Sequence, residues 1–290
     1  MKRNSILFAG CGDLGIRCGS ILLEKGWEVA GVRRDPSQLP AGFRRCAADY
    51  TLPGGLDIAG SLRPDYVVAS FNPSDSTVDG YRRGFTLAAQ NLLEGLGEHR
   101  PTAILMASST RVFAERDGGW VDETSPLSTD DPRALAIIAA EQLLRESPHR
   151  VSVVRFAGIY GATGGRLLRK VRRGELAHSE TARYGNRIHR DDCAGFLVHL
   201  LERAEAGTEL APVYIGVDDL PAPQWQVERW LATRLGLPAV PASTPAPSGG
   251  FMPAGHKRCS NRLLRASGYR LLYPDYRAGY GAVLAAEGGD

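Results

Sequence analysis

The stretch Gly10-Cys11-Gly12-Asp13-Leu14-Gly15 follows directly on the apolar segment Ile6-Leu7-Phe8-Ala9 and leads into a helical pattern over Leu14–Lys25. Strand, glycine turn and helix in this order are typical of a site for a dinucleotide pyrophosphate. The first glycine permits a tight turn, the second lets the backbone approach the phosphates, and the third lets helix and strand pack closely. The helix N-terminus then offers free N–H groups to the anion. We therefore predict cofactor contacts at Gly10, Gly12, Asp13, Leu14 and Gly15.

The second apolar segment, Glu28–Val32, ends in Arg33-Arg34. In sites of this kind, an acidic residue about 20 positions beyond the glycines binds the adenine ribose of NAD. Two guanidinium groups suit a ribose 2′-phosphate instead, because each presents a planar set of donors to an anion. We predict that Arg33 and Arg34 select NADP. The alternative is that both arginines are ordinary surface residues and that Asp35 binds the ribose of NAD.

The composition indicates a globular protein with a sizeable core, since 43% of the 290 residues are hydrophobic and 23% are charged. A net charge of +3 is too small to indicate nucleic acid, and no segment has the roughly 18 apolar residues of a membrane span. The five cysteines are scattered without metal-ligand spacing, which favours a reducing compartment and no metal site. We expect a soluble, cytoplasmic protein with a small-molecule substrate, either monomeric or homodimeric.

Apolar runs of buried-strand type recur along the chain at Tyr66–Ala69, Ala103–Met106 and Val151–Val154. Helical patterns separate them over Thr77–Leu96 and over Asp131–Glu146, where Asp131 is the expected N-cap and Pro132 the first helical residue. Such alternation predicts an α/β fold, a doubly wound parallel sheet of the Rossmann type with helices on both faces.

The alternation loosens after about residue 162. We predict a Rossmann core over residues 1–162 and a mixed, substrate-side region over 163–290, a small C-terminal subdomain from which residues 191–216 return to the core. Asp192 is the expected N-cap of a helix over Cys193–Arg203. Leu237–Gly255, rich in proline, glycine and serine, is predicted to be a loop or flap.

Ligands of a parallel sheet gather at the carboxyl ends of its strands. Four stretches follow predicted strands in this chain, at Asp49-Tyr50, Ser70-Phe71-Asn72, Ser108-Ser109-Thr110 and residues 156–161. From these stretches we predict further cofactor contacts at Asp49, Tyr50, Ser70, Phe71, Gly158 and Ile159.

Several motifs occur along the chain in the same order as in a known family. They are Ser108-Ser109-Thr110-Arg111-Val112-Phe113, Val121-Asp122-Glu123-Thr124-Ser125-Pro126, Glu141-Gln142-Leu143-Leu144, Val154-Arg155-Phe156-Ala157-Gly158-Ile159-Tyr160-Gly161 and Arg187-Ile188-His189-Arg190-Asp191-Asp192. The chain resembles the extended short-chain dehydrogenase/reductase family of epimerases and dehydratases over nearly its whole length. The glycine motif lacks the two residues that this family places before its middle glycine, which indicates an atypical member. The resemblance implies that Asp49 binds the adenine amino group.

The resemblance also shows where the catalytic residues of this chain differ from those of the family. It places the family's catalytic tyrosine at Arg133 and its lysine at Ile137, and neither side chain can exchange a proton as that pair does. Ser109 matches the serine that orients the substrate. Tyr160 and His189 are candidate proton donors, and the alternative for both is packing or local hydrogen bonding.

Two functions follow from the sequence. The first is an NADP-dependent oxidoreductase or epimerase, with NAD also possible, acting on a small carbonyl or sugar-like substrate. The second is a non-catalytic dinucleotide-binding sensor or regulatory protein. The absent tyrosine and lysine favour the sensor, whereas Ser109 and the substrate-side motifs favour the enzyme. Fold-level analogy does not decide function, so we keep both functions. We favour the enzyme, because a pure sensor has no need for a substrate-side region.

Overall fold

The computed structural model describes residues 3–176, 183–238 and 255–288. Within these residues the chain forms thirteen strands: β1 Ser5–Ala9, β2 Glu28–Arg33, β3 Arg44–Ala47, β4 Tyr66–Ala69, β5 Ala103–Ser109, β6 Trp120–Val121, β7 Val151–Phe156, β8 Gly158–Tyr160, β9 Tyr184–Gly185, β10 Arg187–His189, β11 Val213–Gly216, β12 Ala222–Pro223 and β13 Arg258–Cys259.

Ten α-helices occur in the same described ranges: α1 Asp13–Glu24, α2 Ile58–Leu62, α3 Val78–Tyr81, α4 Ala88–Leu96, α5 Pro132–Glu146, α6 Arg166–Arg172, α7 Arg190–Glu205, α8 Gln224–Arg234, α9 Arg262–Ala266 and α10 Tyr276–Glu287. Two short 3₁₀ turns lie at Pro36–Gln38 and Thr110–Val112, and a π-helical segment lies at Arg82–Leu87.

The chain divides into two compact units, and the division does not follow the chain order. The first unit contains residues 1–113, 127–156 and 193–214. The second contains residues 114–126, 157–192 and 215–290. Each unit is thus assembled from three separate stretches of sequence.

The first unit is built on a seven-stranded sheet with the order β11-β7-β5-β4-β1-β2-β3. Strands β7 through β3 pair in parallel along this order. The strands β1, β4 and β5 are almost wholly buried, as expected for central strands covered on both faces. The order reverses between β1 and β4, which is the switch point at which open α/β sheets bind ligands. The predicted Rossmann-type fold is confirmed.

The helical pattern predicted over Thr77–Leu96 forms as three consecutive pieces. Thr77 caps the first piece, because its Oγ1 accepts a hydrogen bond of 2.9 Å from the Gly80 amide. The α3 helix then widens into the π-helical segment Arg82–Leu87 before α4 begins. Asp131 caps α5 as predicted, since its Oδ1 accepts a hydrogen bond of 3.0 Å from the Arg133 amide.

A buried ion pair fastens α5 to the sheet. Arg155 of β7 contacts Glu141 of α5 at 2.7 Å, with side chains only 3% and 2% exposed. The hydroxyl of Ser108 donates a hydrogen bond to the same carboxylate, so both glutamate oxygens are occupied. Because removing one partner of such a pair leaves an uncompensated buried charge, this contact fixes the carboxyl end of β5 against α5.

The second unit packs α6, α8 and α10 around one apolar cluster. Its buried members are Leu168, Val171, Ala222, Val227, Leu231, Ala232, Tyr276, Tyr280 and Val283. Three two-stranded pairings, β8 with β10, β9 with β12 and β6 with β13, complete this unit.

The prediction that Asp192 caps a helix was wrong. The helix α7 begins at Arg190, so Asp192 lies inside its first turn. Its fully buried carboxylate instead accepts hydrogen bonds from the amides of Leu272 and Tyr273 and from the hydroxyl of Tyr269, at 2.7, 3.0 and 3.1 Å. Burial raises the pKa of this carboxyl despite these bonds. The side chain thus anchors a segment 80 residues away, a contact that a local sequence pattern does not reveal.

No helix within the described ranges is long and apolar enough to cross a membrane. The loop predicted over Leu237–Gly255 falls outside the described residues, except for its ends at 237, 238 and 255.

Candidate dinucleotide-binding site

A cleft of about 380 Å³ opens in the first unit at the carboxyl ends of β1, β2, β3 and β4. It is lined by Gly10, Cys11, Gly12, Arg33, Arg34, Asp35, Ala48, Asp49, Tyr50, Thr51, Ser70, Asn72, Pro73 and Ser74. The lining residues come from four separate loops, each of which follows a strand of the parallel sheet. The cleft therefore lies where the topology predicts a ligand.

The glycine turn has a geometry that other residues would not tolerate. Gly10 has a φ of +87°, and a Cβ at this position would lie 2.6 Å from the carbonyl oxygen of Ser70. Position 12 differs, because a Cβ there would meet no atom within 4 Å. Gly10 thus brings the loops after β1 and β4 together, and Gly12 leaves open space at the start of α1. Both properties fit the backbone approach that a pyrophosphate requires.

The cysteine between these glycines packs inward. A Cβ at Gly15 would lie 3.2 Å from the Cys11 sulfur, and one at Gly31 would lie 2.9 Å from it. Cys11 is fully buried, and burial raises the pKa of its thiol to about 12. The thiol therefore fills the space between α1 and β2 as a small apolar group, and its reactivity is low.

The helix α1 points its first amides toward the end of β1. It begins at Asp13 with Gly12 as an N-cap that offers no side-chain hydrogen bond. The amides of the first turn have no carbonyl partner inside the helix. Asp13 carries its exposed carboxylate in an ion pair of 3.2 Å with Arg17 one turn on. Asp13, Leu14 and Gly15 come next in the chain after the cleft residue Gly12, and none of the three lines the cleft.

Positive charge lies at the end of β2. Arg33 and Arg34 both line the cleft, and neither takes part in an ion pair with another described residue. Asp35, the alternative ribose ligand, caps the turn at Pro36–Gln38 through a hydrogen bond of 3.0 Å from the Ser37 amide to its Oδ1. This bonding lowers the pKa of the Asp35 carboxyl. The arginines are thus available to an anion, whereas one oxygen of the carboxylate is already occupied.

The loop after β3 is held in place by several hydrogen bonds. Asp49 Oδ1 accepts from both the amide and the hydroxyl of Thr51, at 3.0 and 2.7 Å. The buried Asn91 donates to the carbonyl oxygens of Tyr50 and Leu52, each at 2.9 Å. Both bonds to Asp49 end on Oδ1, and among the described residues none ends on Oδ2. The loop is therefore rigid at its base, and one carboxylate oxygen of Asp49 remains for a ligand.

The loop after β4 forms the opposite side of the cleft. Tyr50 crosses to it, because its hydroxyl donates to the Asn72 carbonyl at 3.3 Å and accepts from the Asn72 amide at 3.2 Å. Ser70 lines the cleft, whereas the buried Phe71 packs its ring at 5.3 Å from that of Tyr50. Gly84 of the π-helical segment supports this loop, since a Cβ there would lie 2.2 Å from the Asn72 carbonyl oxygen.

The carboxyl end of β5 carries Ser109, the residue predicted to orient a substrate. Its Oγ accepts a hydrogen bond of 3.2 Å from the Arg111 amide and caps the turn at Thr110–Val112. The Arg111 guanidinium lies 5.7 Å from the ring centre of Tyr81 and contacts Asp131 at 3.0 Å. The hydroxyl hydrogen of Ser109 is not needed for this cap, so it remains for another acceptor.

The two positions where the family carries its tyrosine and lysine differ in their surroundings. The Arg133 guanidinium lies 5.9 Å from the ring centre of Tyr81, on the half-buried start of α5. Ile137 is 1% exposed. Sequence reasoning missed Tyr81, because its relation to Arg111 and Arg133 depends on a contact between α3, the loop after β5 and α5. The only signal was its place within the predicted helix Thr77–Leu96.

The remaining predicted residues lie in the second unit. Tyr160 stacks on Tyr280 with ring centres 4.4 Å apart, and its hydroxyl donates to the Asp275 carbonyl at 3.4 Å. Burial raises the pKa of Tyr160. His189 is 3% exposed, and its ring lies 5.3 Å from Tyr160 and 4.0 Å from Tyr273. These contacts favour packing for both side chains, and their role as proton donors stays a prediction.

Gly158 and Ile159, predicted to contact the cofactor, also belong to the second unit. They lie on the short strand β8, which pairs in parallel with β10, and both are exposed. The aliphatic side chain of Ile159 is 50% exposed. Their predicted role stays a prediction.

Comparison with known proteins identifies the family. The model of the NAD(P)H-binding family matches residues 10–204. A solved structure of a candidate NAD-dependent epimerase/dehydratase from Methylobacillus flagellatus is 35% identical, with a TM-score of 0.82 and 99% of each chain covered. The chain therefore belongs to the NAD(P)H-binding family and is one of its epimerase/dehydratase-like members, which confirms the resemblance inferred from the motifs.

More distant structures share the fold. The human epimerase family protein SDR39U1, solved with NADPH, is 20% identical, with a TM-score of 0.72 and coverage of 97% of this chain and 99% of that one. MoeE5, solved with UDP-glucuronic acid and NAD, is 19% identical, with a TM-score of 0.78 and coverage of 99% and 100%. No curated protein sequence matches the chain significantly.

Proposed function

We propose that the protein is an NADP-dependent oxidoreductase or epimerase that acts on a small carbonyl or sugar-like substrate. The preference for NADP over NAD rests on one observation, which is that Arg33 and Arg34 both line the cleft. A 2′-phosphate would place two or more negative oxygens there, and charge-assisted hydrogen bonds to guanidinium groups are the strong ones.

The other cleft residues fit the rest of a dinucleotide. The glycine turn and the first amides of α1 would hold the pyrophosphate. Asp49, through its second carboxylate oxygen, would accept from the adenine amino group, and Tyr50 and Ser70 would border the bound molecule. When bound, the nicotinamide supplies hydride chemistry. Ser109 would direct its free O–H toward a substrate oxygen, which fixes the orientation of the reacting carbon.

A binding-only function is the second candidate, and one observation favours it. Ile137 occupies the position of the family's lysine and is 1% exposed, so no cation replaces that lysine at this point of α5. A protein of this kind would bind the dinucleotide and report its state to a partner without turnover. The enzyme is favoured over it because Ser109 keeps a free hydroxyl at the carboxyl end of β5.

Titration calorimetry with NADPH and NADH tests the cofactor choice. We expect the unmodified protein to bind NADPH more tightly, and we expect the double variant Arg33→Ala, Arg34→Ala to lose most of that preference. Each charge-assisted bond contributes about 1.5–3 kcal/mol, so the loss should amount to at least about tenfold in NADPH affinity. Arg145→Ala, which removes an exposed arginine of α5 outside the cleft, is the matched control and should bind both cofactors as before. Equal affinities for NADPH and NADH in the unmodified protein would contradict the proposal.

Turnover separates the two candidate functions. A panel of small aldehydes, ketones and nucleotide sugars should include a substrate that is converted by the protein with NADPH. Tight NADPH binding without turnover on the whole panel would instead favour the binding-only protein.

A further inference from the structure

One tyrosine lies beside the position of the missing catalytic tyrosine. Tyr81 ends α3, is half-buried, and stacks on Phe85 with ring centres 5.9 Å apart. The guanidinium carbons of Arg111 and Arg133 lie 5.7 and 5.9 Å from its ring centre. Because Arg133 holds the position that the resemblance gives to the catalytic tyrosine, the Tyr81 ring places a phenol next to the residue that replaces the lost group.

The surroundings of Tyr81 differ from those of the other candidate phenol. Tyr160 donates a hydrogen bond from its hydroxyl to the backbone carbonyl of Asp275 and packs, partly buried, against the apolar cluster of the second unit. Tyr81 makes no hydrogen bond through its hydroxyl to any described residue. A proton donor must offer its proton to the substrate rather than to the protein, and only Tyr81 of these two meets that condition.

Two arginines also supply the charge that the family obtains from lysine. Arg111 is held by Asp131 at 3.0 Å, and the same carboxylate accepts from the Arg133 amide at 3.0 Å. Asp131 therefore holds the guanidinium of Arg111 and the backbone of Arg133. Ser109 adjoins this group, since its Oγ accepts from the Arg111 amide. Arg111 and Arg133 remain cationic at any physiological pH, so they would stabilise a negative charge on a nearby oxygen.

We propose that Tyr81 is the proton donor of the reaction and that Arg111 and Arg133 stabilise the phenolate that it leaves. The inference rests on the proposed function, which supplies the reduction of the carbonyl carbon. As the substrate oxygen gains negative charge, the O–H bond of Tyr81 breaks and the proton moves to that oxygen to form the alcohol. The phenolate keeps the electron pair of the broken bond and is reprotonated by water. In the reverse direction the phenolate takes the proton from the alcohol.

Three variants and a double variant test the proton step. Tyr81→Phe should lower kcat by at least about 100-fold, because general acid–base catalysis is typically worth 10²–10⁴-fold, while calorimetry gives an unchanged NADPH Kd. Tyr66→Phe, a buried tyrosine at the amino end of β4, is the matched control and should keep full turnover. Arg133→Gln should lower kcat, Arg133→Lys should restore part of it, and Arg133→Gln should have no further effect in the Tyr81→Phe background, as expected for coupled residues.

A second measurement does not depend on turnover. Nitration of the folded protein with tetranitromethane, mapped by peptide mass spectrometry, should modify Tyr81 and spare Tyr66. Absence of nitration at Tyr81 in the folded protein would overturn the proposal, because a phenolate that is reprotonated by water has to be reachable from solvent.

The outcomes distinguish the inference from the proposed function. Full turnover in Tyr81→Phe, or loss of turnover in Tyr160→Phe alone, would overturn the role of Tyr81 and leave the proposed function standing. Absence of turnover in the unmodified protein, with tight NADPH binding, would overturn both.

Discussion

Asp49 combines a structural role in its loop with a proposed contact to the ligand. Its Oδ1 accepts two hydrogen bonds from Thr51, which is the local capping that its position in a turn predicts. Its position on the cleft is what the resemblance to the epimerases implied for adenine. The two roles are compatible, because they use different oxygens of the carboxylate.

Substitution can separate the capping role of Asp49 from its proposed contact with adenine. Asp49→Ser keeps an oxygen that can accept from the Thr51 amide but removes the charge and the second acceptor. We expect it to weaken NADPH binding by about 1 kcal/mol, the typical contribution of one hydrogen bond, with little change in Tm. Asp49→Ala should weaken binding similarly and also lower Tm, since the cap is lost. Calorimetry and thermal melting measure both effects, and an unchanged Kd in both variants would show that Asp49 only caps the turn.

At the scale of single residues, the sequence predicts those that act through local geometry. Each of a set of predicted residues lies at or within three positions of the carboxyl end of a strand in the parallel sheet, and all line one cleft: Gly10, Gly12, Arg33, Arg34, Asp49, Tyr50 and Ser70. Tyr81 and the anchoring role of Asp192 were not predicted. Both depend on contacts between segments far apart in the chain, such as the Asp192 bond to the Leu272 amide, and no short-range pattern encodes them.

At the scale of elements, the π-helical segment Arg82–Leu87 connects the helix to the cleft. Inserting a wider turn shifts the phase of the helix, and such turns are frequent at functional sites. Here the segment places Gly84 under the Asn72 carbonyl and Pro73, two residues that line the cleft. It also separates Tyr81 from α4. The apolar periodicity of the sequence predicts a helix over this region but contains no mark of the wider turn.

Gly84→Ala tests this connection. The new Cβ would lie 2.2 Å from the Asn72 oxygen and 2.6 Å from the Pro73 Cα, so backbone has to move, and overpacking of this kind typically costs about 1–3 kcal/mol. We expect a lower Tm together with weaker NADPH binding, measured by melting and calorimetry. Gly281→Ala in α10 is the matched control, because a Cβ there meets nothing within 4 Å and alanine favours a helix by about 0.5–1 kcal/mol. NADPH affinity equal to that of the unmodified protein would show that the loop does not depend on Gly84.

The strands were the elements best predicted from sequence. The predicted run Tyr66–Ala69 matches β4 at both ends, and Ala103–Met106 and Val151–Val154 fall short of β5 and β7 only at their carboxyl ends. Those ends carry Ser108, Ser109 and Arg155, polar residues that an apolar pattern leaves out. The same residues form capping, hydrogen-bond and ion-pair contacts of the first unit, so the residues left out of the predicted strands are those with polar anchoring contacts.

At the scale of the whole molecule, the two units share the chain in alternating stretches. Residues 114–126 belong to the second unit although the flanking segments belong to the first, and residues 193–214 belong to the first. The short pairing of Trp120–Val121 with Arg258–Cys259 holds the first of these stretches within its unit. From the sequence we predicted a return to the core over residues 191–216 but no departure from it over residues 114–126, because that departure depends on pairing between distant segments.

The second unit also contains a carboxyl group whose protonation affects the stability of the protein. Asp218 is 1% exposed, its Oδ1 accepts from the Leu220 amide at 3.2 Å, and its Oδ2 has no hydrogen-bond partner among the described residues. Burial raises the pKa of this carboxyl to about 8, although Arg187 opposes the rise, while Asp219 and Asp275 add to it. Burial in turn lowers the pKa of the Arg187 guanidinium.

The pH dependence of unfolding follows from this raised pKa. Between the pKa of an unfolded aspartate, about 3.9, and the folded value of about 8, the folded state holds a proton that the unfolded state has lost. The free energy of unfolding therefore falls as the pH rises through this interval, by at most about 1.4 kcal/mol per pH unit for one group, and levels off above it. Asp218→Asn cannot lose a proton, so we expect its urea-unfolding free energy to fall less between pH 5 and pH 8 than that of the unmodified protein. Parallel pH profiles for the two proteins would show that Asp218 is ionised in the folded state throughout this range.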